Sequence, residues 1–173
     1  MYAVPDASDQ TGPYAICARL VRDYPEFDHL KEGDARIEFL LCGVETLRGG
    51  RQVLGEVHLP TVQGRLKGVF DWLLLRLFEE TPDFLVVLDQ AYWDEADGRQ
   101  REILVFHELC HCVQKSDKQG EPRFDEEGRP VWGLMGHDVE EFTATVSRYG
   151  AYSPEIVEFI QAAGKASPRV VSD

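Results

Sequence analysis

No stretch of this 173-residue sequence stays apolar for the roughly 18 residues that a membrane-crossing helix needs, which excludes such a helix. Also missing is the basic-then-apolar order of a signal peptide: the chain starts Met1-Tyr2-Ala3-Val4-Pro5-Asp6, so the expectation is a cytoplasmic protein with no membrane partner. Cations are scarce, with 18 Lys and Arg against 31 Asp and Glu and a net charge of −13. Tight nucleic-acid binding depends on clustered Lys and Arg, so no strong binding of that kind is expected. One local exception is Arg48, Arg51, Arg65 and Lys67, which share their stretch with the single Glu56. Cysteines number four (Cys17, Cys42, Cys110 and Cys112), and in a reducing compartment thiols are expected rather than bridges. There is no internal repeat and no low-complexity tract.

What is present is an ordinary globular mixture, 43% hydrophobic and 28% charged, long enough for a real core. A single domain over residues 1–173 is expected, with residues 1–12 frayed. Periodicity predicts helices over Pro13–Tyr24, Arg65–Phe78, Ala96–Val113 (capped by Asp94), Asp138–Tyr149 and Pro154–Ala163. Strands are predicted over Ala35–Cys42, Gln52–Leu59 and Phe84–Asp89, with a hairpin between Pro122 and Trp132. This mixture of helices with a few strands gives an α+β fold with a small sheet. Leu66, Val69, Phe70, Leu73, Leu74, Leu77 and Phe78 make a wide apolar stripe expected to face the core.

The chemistry lies in His107-Glu108-Leu109-Cys110-His111. Helical residues four apart lie about 40° apart, so both imidazoles leave one face and can grip one metal ion. Glu108 lies roughly 80° from their mean direction, near enough to touch a water on the metal without replacing a ligand. Zinc lowers the pKa of such a water towards about 7, and a carboxylate beside it can take the proton as a carbonyl is attacked. The wheel from Ile103 to Val113 is apolar over most of its circumference, which predicts a buried helix with Cys110 and Cys112 as small core residues.

A catalytic site of this kind needs a third protein ligand. Gly136-His137-Asp138-Val139-Glu140-Glu141-Phe142 supplies His137, with Glu140 and Glu141 as alternatives. The Gly- and Pro-rich segment from Lys115 to Gly136 would turn the chain back towards the first two histidines. His29 and His58 are expected to be plain surface or core residues, and Tyr149 and Tyr152 packing residues.

The run Phe84–Leu88, then Arg101–His111 and Gly136–Phe142, resembles the phage and prokaryotic metallopeptidase family, which is similar to the SprT-like and WLM-type zincins. The resemblance implies a zincin-like fold, with a small sheet, flanking helices and an active-site helix. It implies Zn²⁺ as cofactor, His107, His111 and His137 as ligands, and Glu108 as general base. It further implies a zinc metallopeptidase acting on a peptide or protein, with the strand Phe84–Asp89 either as a sheet edge that pairs with substrate or as an interior strand. Seven acidic residues between Glu121 and Glu141 would make the cleft rim negative and favour neutral or basic peptide segments. The other readings of the same residues are a zinc-stabilised binding protein and a hydrolase of a non-peptide amide.

Overall fold

The computed structural model describes residues 1–166. By packing the chain falls into two compact units, one of Met1–Met135 and a smaller one from Gly136 onward. The fold is α+β, as the sequence predicts. No helix among the described residues is long and apolar enough to cross a membrane.

The larger unit opens with β1 (Tyr2–Ala3), a paired strand where fraying was expected. Helix α1 (Pro13–Asp23) starts on a proline, whose fixed φ suits the first helical position, and stops before Pro25. A turn of 3-10 helix at Pro25–Phe27 leads to the short α2 (Asp28–Glu32). Strand β2 (Ile37–Cys42) follows, then the small hairpin β3 (Leu47–Arg48) and β4 (Arg51–Gln52), and then β5 (Gly55–His58). Helix α3 (Lys67–Phe78) precedes β6 (Phe84–Asp89), the strand whose bounds the sequence predicts.

Four of these strands form one sheet in the order β1-β2-β6-β5, with β2 parallel to β6 and β5 antiparallel to it, while β3 and β4 pair only with each other. Strand β6 is therefore interior, and the edge reading of Phe84–Asp89 is corrected. Its continuous apolar run fits that place: Phe84, Val86 and Leu88 are buried, and Leu85 and Val87 on the other face are half-buried. Phe39, Val57, Phe84, Val86 and Leu88 point to one face, where they meet Ile16, Cys17 and Leu20 of α1 and Val105 and Leu109 further on. Val57, Val86 and Phe39 stand in register across three strands. The apolar stripe of α3 is corrected too. Only Leu74 and Phe78 are buried, while Leu66, Val69, Leu73 and Leu77 are exposed.

After β6 come α4 (Gln90–Glu95), capped by the buried Asp89, and α5 (Gly98–Cys110). Asp94 belongs to α4, so the cap of α5 is Asp97. The chain is already extended at β7 (Cys112–Gln114), which pairs with β8 (Trp132–Leu134). Between them lies a meander rather than a lone hairpin: the amide of Lys115 donates to Val131, and Lys115 accepts from Arg123. Two similar turns fold it, Asp117 to Pro122 and Asp125 to Pro130, each of the pattern Asp-x-x-Gly-x-Pro. In each, an Asp Oδ1 accepts two backbone amides, from Gln119 and Glu121 in the first and from Glu127 and Arg129 in the second. Gly120 and Gly128 take the positive φ these turns require.

The smaller unit contains α6 (Thr143–Tyr149) and α7 (Pro154–Lys165), the latter capped by Ser153. Residues 137 to 142 are irregular, so the helix expected from Asp138 begins only at Thr143.

Candidate metal centre

The position of α5 is set from its first residue. Asp97 Oδ1 accepts the Gln100 amide at 2.8 Å, and Gln100 Oε1 accepts the Asp97 amide at 2.9 Å, a reciprocal capping box. With that phase fixed, Leu104, Val105 and Leu109 enter the core and Glu108 goes with them, only 3% exposed. The helix is not buried on all sides as expected: Ile103, His107 and Cys110 are exposed, and the polar group taken inside is the carboxylate. Glu108 packs directly on β5. A Cβ built on Gly55 would stand 2.3 Å from Glu108 Oε1 and 2.6 Å from Cδ. Burial pushes the Glu108 carboxyl up to about 7, and the negative charge of Glu56 adds to the shift.

His107 sits in the last turn of α5, and His111 follows as its C-cap with helical dihedrals, so their four-residue phase is preserved. The ring centroids lie 5.0 Å apart, with the planes at 83°. His111 is held by backbone that returns from the meander. Its Nδ1 donates to the Met135 carbonyl at 2.6 Å, and the Met135 amide donates to the His111 carbonyl at 3.0 Å. The family model described as "Putative phage metallopeptidase" matches residues 6–164. The chain belongs to this family. Neither the curated proteins nor the solved structures gave a match.

Membership in this metallopeptidase family implies a metal ion and action on peptides. The donor chemistry at the end of α5 fits a metal. A carbonyl can only accept, so Nδ1 of His111 carries the proton, and Nε2 of the neutral ring is the nitrogen with a lone pair. Ligating histidines are commonly oriented by such a hydrogen bond behind the ring.

His137 belongs to the smaller unit and is half-exposed, with Nδ1 3.8 Å from Glu140 Oε1. Glu141 accepts the Phe142 amide at 2.7 Å and the Tyr152 hydroxyl, and these bonds lower its pKa. Tyr149 and Tyr152 are exposed, so packing does not describe them. Cys112 is fully buried as expected, whereas Cys110 is exposed. His29 ties α2 to β7 through the Cys112 carbonyl at 2.8 Å, and His58 lies on β5, 3.4 Å from Glu56.

Three contributors escaped the sequence reading: Gly55, Glu56 and the Met135 backbone. The first two reach Glu108 only through the pairing of the sheet, and the third acts through a carbonyl that every residue has. That the chain turns back towards the histidines was legible in the glycines and prolines of Lys115–Gly136, and the repeated Asp-x-x-Gly-x-Pro turns are how it does so.

Proposed function

We propose that this protein is a zinc-dependent peptidase of zincin type, with His107, His111 and His137 as one donor set for the ion and Glu108 as general base. The observation that carries this reading is a buried carboxylate in the sequence His107-Glu108-x-x-His111, where His111 is oriented from behind by a carbonyl. As third ligand, His137 is supported by chain connectivity. It lies two residues beyond Met135, whose amide and carbonyl both bond His111, and two residues span at most about 7 Å between Cα atoms. Glu141 is the weaker choice because Tyr152 and the Phe142 amide already occupy its oxygens.

Bound zinc supplies a Lewis acid and makes water a usable nucleophile at neutral pH. Glu108 accepts the proton of the attacking water on a carboxylate oxygen and delivers it to the leaving amine nitrogen. A base with a pKa near the working pH does both steps well. Strand β5 ends the sheet beside Glu108, and an extended peptide can pair along it by strand addition. That role passes from β6, which is interior.

The test joins metal analysis to hydrolysis of a peptide library. About one zinc per chain and cleavage abolished by Glu108→Gln are expected. Protein that neither carries nor binds zinc overturns the reading, and so does a Glu108→Gln variant that cleaves at the parent rate.

A further inference from the structure

We propose that Gly55 is a positioning residue for Glu108: its lack of a side chain gives the carboxylate the place from which it works. This role rests on Glu108 being the base. The backbone does not ask for glycine at this position, because Gly55 is not among the residues with positive φ. Gly55 is the first residue of β5, paired opposite Leu88, and glycine in a strand costs more backbone entropy on folding than alanine. A glycine without a conformational reason marks a close approach of something else.

What approaches is the functional group itself. The three atoms nearest a Cβ at Gly55 are Oε1, Cδ and Cγ of Glu108, at 2.3, 2.6 and 2.9 Å. Elsewhere the molecule has close-packed glycines with bland neighbours. Gly33 meets the Trp132 ring, and Gly133 meets the flexible methylenes of Lys115. Glu108 has little freedom to yield, being buried in the final turn of a helix whose phase is fixed by Leu104, Val105 and Leu109. Strand β5 cannot back away without breaking four register pairs with β6. An alanine therefore displaces the carboxylate by an ångström or more. Misplacement on that scale can cost on the order of 100-fold in rate.

The first measurement needs no activity. Melting temperatures are compared for the parent, Gly55→Ala, Glu108→Ala and the double variant. Gly55→Ala should lower the melting temperature, or prevent folding, while Glu108 is present and should do neither once Glu108 is truncated. An equal effect in both backgrounds overturns the contact. The second measurement is kinetic: Gly55→Ala should lose about 100-fold in kcat, with KM and zinc affinity by chelator competition near parental values. Glu108→Asp, one methylene shorter, should recover part of that kcat in the Gly55→Ala background. If Glu108→Gln is inactive while Gly55→Ala turns over at the parent rate, the positioning role fails and the peptidase reading stands. If the parent itself cleaves nothing, both fail.

Discussion

Glu108 carries two costs that its neighbours convert into use. Burial raises its affinity for a proton, and Glu56 on the adjoining strand raises it further, so a carboxyl of ordinary value 4.5 titrates at about 7. Glu108→Gln keeps the shape and loses only the proton acceptor. We expect it to retain metal by elemental analysis and to lose at least 100-fold to 10,000-fold in kcat, the range for a general base. Burial likewise pushes the Cys17 thiol up to about 12 from its ordinary 9.0. The folded chain holds this proton more tightly than the unfolded one. Its contribution is therefore complete below the unfolded thiol value and is lost as pH rises through the folded value. Cys17→Ala should cost about 1 kcal/mol at neutral pH and flatten the alkaline fall in stability. Urea titrations across that window check this, and parallel curves for parent and variant would assign the fall to other groups.

At the scale of elements, α3 shows how a helical stripe can be read correctly and placed wrongly. Its apolar residues occupy most of the circumference, so periodicity finds the helix but does not choose the buried edge. The buried edge is that of Leu74 and Phe78. Leu74→Ala should therefore cost about 2–4 kcal/mol in denaturant unfolding, whereas Leu73→Lys should stay within about 0.5 kcal/mol. Elements with local signals were legible. Strand β6 is bounded by Pro82 and the capping Asp89, and α1 by Pro13 and Pro25. The cap of α5 was legible in principle, since Asp97 has Gln100 three residues later, but Asp94 offered the same chemistry one helix too early. What no local signal could supply was the neighbour of each strand. Whether β6 lay inside the sheet or at its edge depended on β5, a four-residue strand that a glycine weakens.

Across the whole molecule, the parts of the centre differ in how they were coded. His107 and Glu108 lie in the last turn of α5 and His111 is its C-cap with helical dihedrals, so local spacing placed them at one helix end. Gly55 and Glu56 arrive by sheet pairing, and Met135 arrives by a meander of two aspartate turns. The proposed third ligand, His137, follows that route in the chain, and its assignment can be tested on stability rather than catalysis. A ligand that binds only the folded chain stabilises it by about 2.7 kcal/mol at 100 times its dissociation constant. For a chain of this length that amounts to a rise in melting temperature of roughly 5–10 °C. Zinc should produce this rise in the parent and in Glu140→Ala and Glu141→Ala, and a chelator should abolish it. His137→Ala should lose most of the rise, because a site of three protein ligands drops to two. The outcome that refutes the assignment is a full zinc response in His137→Ala together with a lost response in either glutamate variant. The site would then hold two histidines and one glutamate.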